Sequence, residues 1–169
     1  MVAYLLLIGL FAVERLVEVR VSLRNARESF ARGGVEYGRG HYPLMVAVHT
    51  LFLIACPLEV FLLDRPFLPW VGIPALVVCA LTQTLRWWII RTLGWRWNTR
   101  VLVVPGLPLV REGPFRYFNH PNYMVVALEI LALPLVHGAW WTAIGFSLAN
   151  AGVLWLRLQV EEKALGRLS

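Results

Sequence analysis

Residues 111–126, REGPFRYFNHPNYMVV, set a dense polar cluster directly against the start of an apolar run. Gly113-Pro114 reads as a turn, and His120-Pro121 reads as a helix start, because the missing N–H of proline is tolerated in a first helical turn. Inside hydrocarbon such groups are costly, so the cluster belongs at a helix mouth and marks a site. The surrounding sequence supplies the hydrocarbon: 59% of the 169 residues are hydrophobic, 15% are charged, eight are Trp, and the mean hydropathy is +0.64. Soluble domains hold roughly 45–50% apolar residues. The expected fold is therefore all-α, a single integral membrane domain over residues 1–169.

A spanning helix needs about 20 apolar residues. Five stretches approach that, at 2–21, 43–63, 67–90, 123–136 and 139–158. The fourth is the shortest. Leu133-Pro134 and His137-Gly138 make a tight connection after it, so the last two spans are expected to form an antiparallel hairpin. Basic residues gather in two connections, Arg20, Arg24, Arg27, Arg32 and Arg39 after the first span, and Arg91, Arg96, Arg100, Arg111 and Arg116 after the third. The other connections hold only Arg65, while Lys163 and Arg167 occupy the tail. The positive-inside rule then places both long loops and the C-terminus in the cytoplasm, with the N-terminus outside the inner (cytoplasmic) membrane. Residues 91–122 become a cytoplasmic loop leading into the His-Pro motif. Trp70, Trp140 and Trp141 are expected at the outer interface, and Trp87, Trp88, Trp95, Trp97 and Trp155 toward the inner one.

Several functions are excluded. The net charge of +6 is spread over short loops without a nucleic-acid motif, as at an anionic membrane face. Cys56 and Cys79 lie inside apolar runs and read as packing residues. His41, His49, His120 and His137 lack metal-ligand spacing, so no metal is expected. No Ser, Cys or Thr sits in a nucleophile setting. The N-terminal run lacks the flanks of a removable signal peptide.

Ionisable residues inside the apolar stretches have two readings. Glu14, Arg15 and Glu18, with His49, Glu59 and Glu129, either pair with one another or contribute to a substrate pocket. His49 lies toward the cytoplasmic end and favours the pocket; Glu59 lies toward the outer end and favours a structural role. The 111–126 cluster divides likewise. Arg116 and His120 at a helix N-terminus suit an anion, and the hairpin returns Arg157, Glu161 and Glu162 to the same level. One pocket would offer a cationic end, an acidic end and an apolar wall, which suits a zwitterionic ligand. The alternative is an interfacial salt-bridge cluster that fixes helix ends.

GPFRYFNHPNY, followed by an apolar hairpin and RLQVEEKAL, resembles the isoprenylcysteine carboxyl methyltransferase family. The resemblance implies S-adenosylmethionine as methyl donor, bound on the cytosolic side. Carried over by motif, Arg116, Tyr117, His120, Pro121, Tyr123, Glu161 and Glu162 match its cofactor site, with Gly113 opening the motif and Val103, Val104 and Pro105 in the segment before it. Asn119 stands where the family commonly has Arg, Phe115 where Tyr is common, and Met124-Val125 where Leu-Gly is frequent. ERLVEVRVSLRN, HYPLMVAVHTLF and WNTRVLVVPG resemble a bacterial subgroup that methylates alkylpyrones or alkylresorcinols made by type III polyketide synthases. This implies O-methylation of a lipophilic small-molecule acceptor, a phenolic or enolic lipid, by a protein seated among membrane lipids. Arg116 and His120 would then serve at the donor, while His49 and Glu14 or Arg15 approach the acceptor. The rival acceptors are a prenylcysteine carboxylate and a phospholipid amine. The rival class is a non-catalytic membrane docking protein.

Overall fold

The computed structural model describes residues 1–166, so the basic Arg167 lies outside the described residues. Five α-helices account for most of them: α1 (Val2–Ala31), α2 (Tyr42–Leu62), α3 (Pro69–Leu93), α4 (Pro121–Leu135) and α5 (Trp140–Ala164). Prolines in the first turn open α2, α3 and α4, where a missing N–H costs nothing. Three helices, α2, α3 and α5, are long and apolar enough to cross a membrane. Their Leu, Ile, Val, Phe and Trp side chains face outward in numbers a soluble helix would not tolerate, among them Leu51, Phe61, Ile73, Leu81, Ile144 and Leu148.

The other two helices depart from the expected spans in opposite directions. α1 continues ten residues past the end expected from its apolar run, because Ser22 to Ala31 finds polar partners elsewhere in the fold. α4 has 15 residues, hence a length of about 22 Å, short of the roughly 30 Å of hydrocarbon. Val136 to Ala139 turn the chain directly into α5, and α4 and α5 pack as the expected hairpin.

A purely helical fold was expected, but the two long connections also contain short strands. β1 (Val35–Tyr37) and β2 (Val101–Val103) pair antiparallel, with Val35 opposite Val103 and Tyr37 opposite Val101. Both segments carry valines, with turn glycines on either side of β1 and Gly106 shortly after β2, a signal too short to outweigh the helical pattern around it. The ribbon ties the first basic connection to the second.

The core near one end of the bundle packs Tyr4, Ile8 and Phe11 of α1 against Phe52, Cys56, Cys79, Ile130 and Leu133. Cys56 and Cys79 are free and buried there. At this end Glu59 has the structural role expected of it, because its carboxylate accepts from the α5 amides of Trp141 (3.2 Å) and Thr142 (2.6 Å) and pairs with Arg65 (3.0 Å). A negative charge at a helix N-terminus is stabilising.

Deeper in the bundle lies an ionic cluster. Arg86 of α3 is 2% exposed, and its guanidinium is bonded to Glu129 of α4 through two of its three nitrogens, one of them Nε at 3.3 Å. Glu18 of α1 pairs with Arg15 at 2.9 Å and lies 3.3 Å from Arg86 Nε, while Arg15 reaches Glu129 at 3.6 Å. Gln83 donates to Glu129 at 2.7 Å. Three helices are thereby joined through charges that have little water to return to. Removing one partner strands the other, so Arg86→Ala is expected to cost about 3–5 kcal/mol. Thermal unfolding in detergent measures this, and a loss no larger than that of an exposed control such as Arg91→Ala would refute the cluster's role.

Candidate active site

The segment after α3 forms the floor of a site because α1 and α5 hold it from either side. Asn25 donates to the carbonyls of Gly94 (3.0 Å) and Trp97 (2.8 Å). Ser22 Oγ donates to Asn98 Oδ1 (2.7 Å) and accepts from the Thr99 amide (3.1 Å), and Arg157 of α5 donates to the Thr99 carbonyl (2.5 Å). With five hydrogen bonds arriving from two helices, a stretch without regular structure becomes rigid. The polar residues that lengthen α1 are therefore the ones that build this floor.

Over it lies a cavity of about 660 Å³ walled by the 95–111 segment, the turn Gly113–Arg116, the start of α4 and the end of α5. Val103, Val104, Arg116, His120, Pro121, Tyr123 and Glu161 all line it. His120 sits at the N-terminus of α4 with its ring stacked on Tyr123, centroids 5.3 Å apart. Its Nε2 lies 3.0 Å from Glu162 and its Nδ1 3.9 Å from Glu161. Tyr123 donates to Glu161, and Arg157 Nε donates to the Tyr123 hydroxyl at 3.2 Å. The hairpin thus returns the acidic pair to the His-Pro motif. The cationic and acidic groups touch instead of standing at opposite ends, however, and the separate cationic side is formed by Arg116 with Arg111. Among the described residues neither of these arginines has a carboxylate within ion-pairing distance.

A second cavity of about 240 Å³ lies between α1, α2, α4 and α5. Met45, Val46, Leu53, Val126 and Leu154 give it an apolar wall, while Arg15, Glu18, His49 and Arg86 bring charge to one side. Trp97, Asn122, Tyr123 and Arg157 line both cavities and form the partition between them. Two atoms of that partition, Trp97 Nε1 and Asn122 Oδ1, are buried without a hydrogen-bond partner. Native interiors rarely leave such groups unpaired, so the partition holds one donor and one acceptor for a ligand.

Not every residue singled out from the sequence meets these cavities. Tyr117 is 69% exposed, and Pro105 and Gly113 belong to turns outside the lining. Glu162 reaches the site through His120. Glu14 is the clearest displacement: its carboxylate accepts from Trp87 Nε1 at 3.0 Å and pairs with Arg15, away from the smaller cavity. Glu18, one helical turn later, lines that cavity in its place. Trp97, expected in an interfacial belt, is 3% exposed. Sequence reasoning passed over Asn122 and the partition role of Arg157, although both flank residues it named. No group of three potential metal ligands occurs among the described residues.

With this geometry in place, the comparisons assign the class. Residues 75–167, more than half of the chain, match the model of the isoprenylcysteine carboxyl methyltransferase (ICMT) family, and the chain belongs to that family of membrane methyltransferases. It is 41% identical over 165 residues to the uncharacterized protein YpbQ of Bacillus subtilis, covering 97% of each chain. An uncharacterized protein of Haemophilus influenzae is 24% identical over 155 residues, 91% of this chain and 90% of its own. No solved structure matches the chain at a significant level.

The turn that presents Arg116 depends on Gly113, which has φ +54° and whose added Cβ would stand 2.6 Å from Thr92 Oγ1. Gly113→Ala is expected to lower stability by about 1–3 kcal/mol through backbone strain and this collision. Denaturant or thermal unfolding in micelles measures it, with Gly145→Ala, which meets nothing within 4 Å, as the comparison.

Proposed function

We propose that the protein transfers a methyl group from S-adenosylmethionine to an oxygen of a lipophilic acceptor, an alkylresorcinol or alkylpyrone produced by a type III polyketide synthase. The observation that carries the reading is the pair of cavities sharing one wall, the larger rich in charge and the smaller mostly apolar. A methyl transfer between a polar donor and a lipid needs two such compartments meeting at one point. Five spans, an outer N-terminus and a cytoplasmic site remain our reading of the topology. In it α1 spans with its exposed face of Leu6, Leu10, Val13 and Leu16 toward lipid, and the short α4 seats His120 below the membrane surface.

The residues of the larger cavity fit the donor. Arg116 and Arg111, without a carboxylate partner among the described residues, offer cations for an amino-acid carboxylate, Glu161 offers an acceptor for an ammonium or a ribose hydroxyl, and the orphan atoms of Trp97 and Asn122 await partners. When bound, the donor supplies an electrophilic methyl carbon on a sulfonium. The protein's part is chiefly placement: the reaction is an in-line displacement, accelerated by holding the reacting atoms in line and excluding water. Tyr123 and Arg157 lock Glu161 in position, and His120 locks Glu162, so the acidic wall does not reorganise. Arg15 and His49 stand on the acceptor side.

His120→Ala and Glu161→Gln are each expected to weaken binding of S-adenosylhomocysteine by about tenfold or more, the value of a hydrogen bond to a charged group. Calorimetry on the detergent-solubilised protein checks this. Turnover is read by mass spectrometry on a panel of alkylresorcinol, alkylpyrone, prenylcysteine and phospholipid amine. Methylation of the last two alone would overturn the acceptor assignment, and absence of saturable donor binding would make the chain a docking protein.

A further inference from the structure

The smaller cavity contains a buried carboxylate that the donor site does not use. Glu18 is 4% exposed and lines the cavity. Its Oε2 is held by Arg15 at 2.9 Å, but its Oε1 is buried with no hydrogen-bond donor. Arg86 Nε is 3.3 Å from that oxygen, yet its proton is given to Glu129. One oxygen of a fixed carboxylate is therefore left without a hydrogen-bond donor, on a residue that lines the cavity together with Met45, Leu53, Val126 and Leu154. Buried carboxylate oxygens are seldom left in this state, because an unmatched acceptor forfeits its hydration without return.

The surrounding charges state what would satisfy it. Within the buried cluster Glu18 and Glu129 stand against Arg15 and Arg86, two carboxylates to two guanidiniums, while Glu14 is taken by Trp87 away from the cavity. From α2, His49 gives its Nδ1 proton to the Met45 carbonyl at 2.8 Å, because a carbonyl only accepts; the neutral ring is then left with Nε2 as a second acceptor. From α5, Arg157 is turned to the Thr99 carbonyl and the Tyr123 hydroxyl. This corner thus has acceptors to spare, and its guanidiniums are already engaged. It welcomes a ligand that donates hydrogen bonds and offers no free cation to one that brings a further carboxylate.

Glu18 is also close to the partition. One turn along the same helix face, Ser22 holds Asn98 and Thr99, the neighbours of Trp97. A ring bound with its hydroxyl on Glu18 lies beside the wall shared with the donor cavity.

We propose that the smaller cavity binds the polar ring of the acceptor, that Glu18 Oε1 accepts the hydrogen bond of its hydroxyl, and that the site thereby selects a hydroxyl-bearing lipid over a carboxylate. This rests on the methyltransferase reading above and names the acceptor class of that same site. In the transfer, the acceptor oxygen forms a bond to the methyl carbon as the carbon–sulfur bond breaks. The sulfur keeps that electron pair and becomes a neutral thioether, and the hydroxyl proton passes to the Glu18 carboxylate.

The test needs no donor. Binding of a long-chain alkylresorcinol, its dimethyl ether and a fatty acid of equal chain length is measured by tryptophan fluorescence on the full chain in neutral-detergent micelles. The wild type is expected to bind the resorcinol about tenfold or more tightly than the other two, the worth of a hydrogen bond to a charged acceptor. Glu18→Gln is expected to shrink that preference to within about threefold and to improve binding of the fatty acid, since it leaves Arg15 and Arg86 one carboxylate short. Leu154→Trp, which fills the cavity without touching the ionic cluster, is expected to abolish resorcinol binding while S-adenosylhomocysteine still binds. Equal affinities for the three ligands in the wild type overturn the proposal even if Glu18→Gln does not fold. So does a preference unchanged in Glu18→Gln, or resorcinol binding that survives Leu154→Trp. Loss of donor-product binding in the wild type would instead sink the methyltransferase reading, so the two failures are told apart.

Discussion

The bond between Arg86 and Glu129 is the constraint from which the rest of the arrangement follows. A guanidinium 2% exposed among apolar helices must be neutralised where it stands, and Glu129 on α4 and Glu18 on α1 do so together. α1, α3 and α4 are thereby fixed in register at one level, which non-directional apolar packing leaves loosely determined. Such clusters are not a cheap source of stability, because desolvation offsets most of the attraction. Their effect is to penalise every arrangement in which the charges fail to meet. At that same level lies the smaller cavity, so the cluster that sets the register also supplies its polar side.

From this level the order extends toward the site. Ser22 and Asn25, one and two turns beyond Glu18, hold the 94–99 segment, and Arg157 holds it from α5. Trp97 and Asn122 are thus placed in the partition with their polar atoms unpaired. A bundle of apolar helices alone would have closed around such atoms or excluded them. The hydrogen bonds that make the loop rigid are what keep a space open beside it, and a rigid, partly unsatisfied wall is a common setting for a binding site.

The acidic wall follows another logic. His120, Glu161, Glu162, Tyr123 and Arg157 interlock at the ends of two helices joined by a short turn, so the hairpin alone brings them together. Their charges are spent largely on one another. Arg111 and Arg116, lacking carboxylate partners among the described residues, carry the net attraction for an anion. The larger cavity accordingly combines a fixed acidic side with an open cationic side, the complement of a zwitterion.

Much of this was legible in the sequence. Apolar runs announced α2, α3 and α5, prolines marked helix starts, and the spacing of GPFRYFNHPNY and RLQVEEKAL announced that His120 would meet Glu161 and Glu162. These are local signals or depend on one short hairpin, and local pattern suffices for them. The ribbon of β1 and β2, the extension of α1, the burial of Trp97 and the choice of Glu18 over Glu14 were not legible. Each depends on partners 60 or more residues away, as with Asn25 and Trp97, 72 residues apart. Glu14 and Glu18 share a face at helical spacing, and only the position of Trp87, which takes the first, leaves the second to the cavity. The sequence by itself determined which helices form and which residues are costly to bury; the tertiary structure decided which costly residue is satisfied and which is left with an open lone pair, because that depends on the donors that distant helices bring within reach.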